Sequence, residues 1–157
     1  MLFGDAYSLN DAARGGNDLP LGGRGDDTLF GDGFALDAGT RAGDDLVDGG
    51  QGDDVLFGGA AERDPQAHDG NDVFRFAPGS GHDVIADFDD GAGGGPQDLI
   101  DLSCWTSFSS FADLAGHLDG KELSLGARCG TAAGTDTLLV TFAADAGTLD
   151  ATDFIFA

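Results

Sequence analysis

The chain has 157 residues, enough for one domain or two small ones, and its 7 Lys and Arg against 29 Asp and Glu give a net charge of −22. That charge argues against nucleic acid as a partner, and no run reaches the roughly 18 apolar residues of a membrane span. Only Glu62 and Glu122 are Glu; an acidic surface chosen for solubility would use Glu freely, so the Asp bias indicates short carboxylates held in turns, with an acidic, salt-adapted surface as the alternative.

Apolar residues make up 41% of the chain, too many for plain disorder. Its 28 glycines carry a large ordering cost. With self-repulsion added, the metal-free chain is expected to be marginally stable at best. The N-terminus, MLFGDAYSLN, has neither the basic n-region nor the apolar h-region of a cleaved secretory signal peptide.

From the first residues the chain repeats itself. Leu2-Phe3-Gly4-Asp5 recurs as Leu29-Phe30-Gly31-Asp32 and as Leu56-Phe57-Gly58-Gly59, a step of 27. Gly16-Asn17-Asp18, Gly43-Asp44-Asp45 and Gly70-Asn71-Asp72 obey the same step, as do Gly25-Asp26-Asp27 and Gly52-Asp53-Asp54. The third copy runs slightly long, to Gly81-His82-Asp83.

Inside each unit lies a nonapeptide, GGRGDDTLF at 22–30 and GGQGDDVLF at 49–57. Both fit G-G-x-G-x-D-x-U-x, with U a large apolar residue. The glycines permit left-handed turns that point carbonyl oxygens inward, and the Asp adds a carboxylate. Hard oxygen donors at that density suit Ca²⁺. The last three residues suffice for a short strand with its middle side chain in a core.

The pattern predicts strands near Leu19–Leu21, Thr28–Phe30, Leu46–Asp48, Val55–Phe57, Val73–Arg75 and Val84–Ala86. Their core residues are Leu29, Val47, Leu56, Phe74 and Ile85. Pro20 holds the first such slot and cannot donate to a ladder, so that strand is expected to be frayed or at an edge.

Three nine-residue excursions interrupt the pattern, at about Tyr7–Gly15, Phe34–Ala42 and Ala61–Asp69. Read as nonapeptides, they put Asp11, Ala38 and Pro65 at U. Those are poor strand cores, so the excursions are expected to be loops bulging from one edge, each unit being one turn plus one bulge. The alternative counts them as rungs, three half-turns per unit, and alternates equivalent sequences between edges.

Beyond Val84 the character changes. DLIDLS (98–103) follows a Gly-Pro loop, and Phe108–Leu118 has helical apolar spacing, with Ser107 as N-cap and Gly120 as stop. Glu122–Leu125 and Thr137–Phe142 read as strands joined by the turn-rich Gly126–Asp136, and Leu149–Asp153 as a helical turn. Cys104 and Cys129 lack zinc spacing. They read as buried or half-buried thiols, with a disulfide formed after export as the alternative.

The expected metal ligands are Asp18, Asp27, Asp45, Asp54, Asp72 and Asp83, with Gly16, Gly23, Gly25, Gly43, Gly50, Gly52, Gly70 and Gly81 in the supporting turns. One edge stacks Gly22–Asp27, Gly49–Asp54 and Gly79–Asp83; the other stacks Gly16–Asp18, Gly43–Asp45 and Gly70–Asp72. Gly-Asp-Asp alone is common turn chemistry, but six copies in fixed register are not. Asp5 and Asp32, in matching slots where excursions begin, and Asp48 and Asp69, beside glycine turns, are further candidates. Asp87, Asp89, Asp98 and Asp101 could form a last site. His68, His82 and His117 share no short spacing, and neither H-E-x-x-H nor G-x-S-x-G occurs. No enzyme is expected.

Carried by these nonapeptides, nearly the whole chain resembles the C-terminal RTX region of bacterial proteins exported by type I secretion. Serralysin-like proteases, haemolysin-type toxins and the R-modules of mannuronan epimerases share that region. GSGHDVIADFDDG followed by DLIDLS resembles the family's exit from its β-roll, and TLDATDFIFA is similar to its uncleaved C-terminal secretion signal. The excursions, Pro20 and the cysteines depart from the pattern. The resemblance implies an all-β fold: a parallel β-roll over 1–90 in three units, then a β-rich capping region over 91–157 with one short helix and the secretion signal. It implies several Ca²⁺ ions, extracellular localisation, and the type I secretion apparatus as partner, with a catalytic domain preceding it in a parent protein as a further option. The expected function is a non-catalytic module that folds on extracellular Ca²⁺ and supports secretion of itself or an attached enzyme or toxin. The alternative is a polysaccharide-binding accessory module.

Overall fold

The computed structural model describes residues 1–91, 94–119, 121–127, 135–142 and 147–157. It is a parallel β-solenoid of about four turns, 6% helical. In chain order the strands are β1 (Leu2–Phe3), β2 (Ser8–Leu9), β3 (Leu21–Arg24), β4 (Thr28–Phe30), β5 (Gly33–Leu36), β6 (Leu46–Gln51), β7 (Val55–Phe57) and β8 (Ala60–Arg63). There follow β9 (Val73–Arg75), β10 (His82–Phe88), β11 (Leu99–Asp101), β12 (Leu118–Asp119), β13 (Glu122–Ala127), β14 (Thr135–Phe142) and β15 (Phe154–Ile155).

Three sheets run along the coil. Sheet one is ordered β1-β4-β7-β10-β14-β13-β12, sheet two β15-β11-β9-β6-β3, and a third, small sheet β2-β5-β8. One turn takes 27 residues, so Leu2, Leu29 and Leu56 lie in register, as do Val47 and Phe74. Each three-residue strand turns its middle side chain inward, because side chains alternate along a strand. Leu29, Leu56 and Ile85 from sheet one therefore meet Val47, Phe74 and Ile100 from sheet two, all 0% exposed. Each such residue contributes about 1.5–3 kcal/mol by its removal from water.

The five expected core residues are thus all in place. Strands β4, β7 and β9 have the expected limits. Pro20 is buried, its carbonyl accepts from Asp48 N–H, and β3 after it is the edge strand of sheet two. An edge position needs no outward N–H, which is why the slot tolerates proline.

The excursions stack on one side of the coil, one per turn, but they are not bare loops. They carry the third sheet, in which Leu9, Leu36 and Arg63 share a register. Leu9, Leu36 and Ala60 form a small core of their own, with Ala13, Ala42 and Ala67 packed against it. The strands lie earlier than the nonapeptide frame put them, so Asp11, Ala38 and Pro65 are not core positions. The angle between this lobe and sheet one is filled by an aromatic ladder. Phe30 stacks between Phe3 and Phe57 at centroid distances of 5.0 and 4.7 Å.

After the third unit both main sheets continue. β14 lies parallel to β10, then pairs antiparallel with β13. β11 is flanked by β9 and β15. The helix is a single turn, α1 (Phe111–Leu114), with Ser110 rather than Ser107 as N-cap. It stops early because Leu118 pairs with Leu123 in β12–β13, and ladder bonds replace further helical ones. Gly120, and residues 128–134 of the expected link, lie outside the described residues, as does Cys129. Cys104 is a free thiol and exposed rather than buried. The expected turn at the C-terminus is a 3-10 turn over Ala151–Asp153. Asp150 accepts from Thr152 N–H, and Asp153 accepts from Asp150 N–H. No described helix is long and apolar enough to cross a membrane.

Candidate metal centre

At the first edge, three glycine loops stack as expected. Asp27 N–H donates to Asp54 Oδ1 at 2.8 Å, and Asp54 N–H donates to Asp83 Oδ1 at 3.1 Å. Each of these carboxylates gives one oxygen to the preceding turn. Asp54 and Asp83 are 1% and 3% exposed, and the Oδ2 of both has no hydrogen-bond partner. A desolvated, unpaired carboxylate oxygen costs several kcal/mol unless a cation meets it.

The glycines have a local reason. Gly50 and Gly52 have φ of +95° and +144°, conformations that side chains strain. A Cβ on either would also strike the carbonyl oxygen of Gly23 or Gly25 in the turn before. Gly81 meets Gly52 in the same way. The loops are therefore a tight stack of backbone carbonyls with buried carboxylates beside them.

The second edge is built differently, because the lobe is inserted there. The chain leaves sheet one through Gly31-Asp32 and returns to sheet two through Ala42-Gly43-Asp44-Asp45, so the two sides face each other across a neck. Asp18 N–H donates to Asp45 Oδ1 at 2.7 Å, Asp45 N–H to Asp72 Oδ1 at 2.8 Å, and Asp72 N–H to Asp98 Oδ1 at 2.9 Å. Across the neck, Gly43 N–H donates to Asp32 Oδ1 at 2.9 Å and Gly16 N–H to Asp5 Oδ2 at 2.7 Å. Asp18, Asp32 and Asp45 each keep a buried Oδ2 without a partner.

Burial pushes these acids up. The Asp32 carboxyl rises to about 8, burial outweighing the Gly43 amide, with Asp45, Asp5 and Asp18 adding repulsion. Asp45 rises to about 7 and Asp83 to about 6, again chiefly by burial. Asp72 and Asp98 are both raised by burial and by the negative charges around them. A fold that holds so many desolvated acids is poorly matched to neutral pH without positive charge.

Asp101 stands apart from both columns. Its carboxylate faces the Arg75 guanidinium at 3.4 Å and accepts from Ser103 N–H. Burial pushes its carboxyl up, but Ser103 and Arg75 together hold it below the ordinary range. With that charge already balanced, Asp98 rather than Asp101 continues the second column. Asp87 accepts from the amides of Gly58 and Gly59, Asp89 N–H donates to Asp98, and Asp48 lies in β6 in register with Arg75. His82 is exposed at the start of β10 rather than in a turn. Sequence reasoning missed Asp136, which is 1% exposed and accepts from Gly79 N–H at 2.7 Å. No spacing signal marks it, since it enters from β14 outside the repeat.

Among the described residues, no three His, Cys, Asp or Glu side chains form a ready metal group. An ion in these columns would take one or two carboxylates and complete its shell with glycine carbonyls. The donor set is all oxygen and irregular, which fits Ca²⁺ better than Zn²⁺ or Mg²⁺. No family model matches the chain, and no curated protein or solved structure matches it.

Proposed function

We propose that the chain is a non-catalytic calcium-binding RTX module that folds on extracellular Ca²⁺ and supports type I secretion of itself or of an attached protein. One observation carries this reading: buried aspartates in stacked glycine loops give one oxygen to the neighbouring turn and leave the other without a partner. Ca²⁺ would supply the missing positive charge, so binding free energy becomes folding free energy. With little free Ca²⁺, the net charge of −22 and the buried acids keep the chain open. The C-terminal β15 supports the same order of events. It is built into sheet two beside β11, with Phe154 8% exposed, so a secretion apparatus could read that tail only before folding.

Affinity at the extracellular level, roughly 10⁻⁴–10⁻³ M, suffices for such a module. Circular dichroism with Ca²⁺ and then excess EGTA tests the reading: β signal should appear with the metal and collapse with the chelator. A signal unchanged in EGTA, with no metal bound, removes it. Because each Asp serves the turn before it, Asp54→Ala should shift the Ca²⁺ midpoint of the whole transition rather than delete one ion.

The accessory-module reading keeps one observation of its own. Arg14, Arg41 and His68 form parallel bridges, one per turn, beside a cavity of about 320 Å³. A ladder of basic groups on so acidic a chain suits an anionic polysaccharide, and titration with alginate in Ca²⁺ tests it.

A further inference from the structure

The neck between the lobe and the roll occurs three times, and its third copy is wired differently. Asp5 and Asp32 open the first two necks, and Gly15 and Ala42 close them. Asp5 N–H bonds the Asp32 carbonyl at 3.0 Å and Asp32 N–H the Gly59 carbonyl at 3.3 Å. On the closing side, Gly15 N–H bonds the Arg41 carbonyl and Ala42 N–H the His68 carbonyl, both at 2.8 Å. This register makes Gly59 the equivalent of Asp32, and Asp69 the equivalent of Ala42. The third neck has lost its opening aspartate and gained a closing one.

Both arrangements deliver a carboxylate to the neck, from opposite strands. A Cβ on Gly15 would strike the Asp32 carboxylate; a Cβ on Gly59 would strike that of Asp69. A side chain needed only to cap a backbone amide has no reason to be replaced from across the gap. What persists through the exchange is a carboxylate in the neck.

Two further observations point to a cation. Asp32 is 0% exposed and Asp45 2%, and the Oδ2 of each has no partner. A methyl on Gly16 would lie 3.4 Å from Asp18 Oδ2 and 3.6 Å from Asp5 Oδ1, so these two carboxylates face a common point. Like charges held so close repel unless something positive joins them. In the third neck something does: the Arg63 guanidinium is ion-paired with Asp69. Arg63 takes the register of Leu9 and Leu36, where the lobe otherwise buries leucine. Packing alone would keep a leucine there.

We propose that the first two necks are sites for a hard divalent cation of the Ca²⁺ class, separate from the nonapeptide loops, and that Arg63 is a built-in counter-charge replacing the ion in the third. The proposal rests on the calcium reading above. The carbonyls of Gly31 and Gly58, which approach Gly4 and Gly31, are backbone donors at hand.

Calcium bound per chain, counted by equilibrium dialysis with elemental analysis, tests it, with circular dichroism at saturating Ca²⁺ as the check on folding. Asp32→Gly should bind at least one ion fewer than the unaltered chain. Adding Ala42→Asp to that variant copies the third-neck arrangement and should restore the count. Arg63→Gln should bind one ion more, because Asp69 loses its partner beside a cavity of about 290 Å³ lined also by Asp87. This gain cannot come from misfolding. An Asp32→Gly chain with the full count, a double variant no better than Asp32→Gly, or an Arg63→Gln chain with no extra ion overturns the proposal and leaves the calcium module standing. An unaltered chain that binds no calcium removes the calcium module itself.

Discussion

Asp32→Asn should move two properties in opposite directions. In the metal-free fold the Asp32 carboxyl titrates at about 8, because it is fully buried among other acids. In the unfolded chain it titrates at its ordinary value of 3.8. At pH 7 folding must therefore return a proton to it across about three pH units, each worth about 1.4 kcal/mol. The cost is about 4 kcal/mol for this residue. Asparagine removes the charge, keeps an acceptor for Gly43 N–H, and puts an amide where Oδ2 lacked a partner. The metal-free fold should gain about 2–4 kcal/mol at pH 7, and almost nothing below about pH 3, where the carboxyl is protonated in both states. The Ca²⁺ midpoint should meanwhile rise, because a ligand has been lost. Urea titrations in EGTA with a fixed osmolyte concentration measure the first effect, and Ca²⁺ titrations followed by circular dichroism the second. A variant less stable than the parent in EGTA would show that the buried Asp32 charge does not burden the metal-free fold, and an unmoved Ca²⁺ midpoint that Asp32 is not a ligand.

The same sign governs pH. Asp32, Asp45, Asp83 and Asp87 titrate at about 8, 7, 6 and 6 in the fold, so it binds protons that the unfolded chain releases between about pH 4 and pH 8. Metal-free stability should fall as pH rises through that window and return on acidification; a flat circular dichroism signal in EGTA from pH 8 to about 4.5 would contradict it. Gly23 and Gly50 occupy equivalent positions with φ of +94° and +95°, but a Cβ on Gly23 meets nothing within 4 Å while one on Gly50 strikes the Gly23 backbone. Gly23→Ala should cost about 1–2 kcal/mol of strain and Gly50→Ala clearly more, read as a larger rise in Ca²⁺ midpoint; equal effects would show that the loops are looser than the stack requires.

The roll was legible because its signals are periodic and redundant. Leu29, Val47, Leu56 and Phe74 recur at fixed spacing, and each is flanked by a glycine turn that allows one strand and no more. The lobe was not, because its strands rest on stacking rather than on propensity. Ser8–Leu9 and Ala60–Arg63 would not read as strands singly; they extend because the turn beside them offers unpaired amides and carbonyls. The nonapeptide frame also hid them, by placing U at Asp11, Ala38 and Pro65. At the candidate site, spacing alone singles out Asp18, Asp27, Asp45, Asp54, Asp72 and Asp83. The step of 27 already pairs Gly59 with Asp32 and Asp69 with Ala42, but that Asp69 reaches the neck from the opposite strand shows only in its approach to Gly59, as Asp32 approaches Gly15. Asp101, between Ile100 and Leu102, carries no mark in the sequence of the Arg75 guanidinium it faces, which the pairing of β9 with β11 brings beside it.

The solenoid's stability is unevenly distributed, and that sets a direction for calcium-dependent folding. In a repeat protein each turn contacts only its neighbours, so order spreads from whichever end is best satisfied alone. The C-terminal end holds Phe74, Phe76, Phe88, Leu102, Trp105 and Leu114 in one continuous core. It also has the ion pairs Arg63–Asp69 and Arg75–Asp101, beside the uncompensated Asp72, Asp83 and Asp98. The first turn has the opposite character: Leu2, Tyr7, Leu19 and Leu21 are 41–63% exposed, and β1, β2 and β3 are all edge strands. Each large side chain buried at one end and left exposed at the other is worth about 1.5–3 kcal/mol, more than any surface charge pair supplies. Folding should therefore begin around β9–β11 and β14 and advance toward β1 as successive columns fill. Hydrogen exchange at increasing Ca²⁺ tests this: the amides of Phe74, Ile85 and Ile100 should become protected at lower Ca²⁺ than those of Phe3 and Gly23. Simultaneous protection would mean that the columns fill as one unit, and protection of the first turn ahead of the third would place the start of folding at β1 instead.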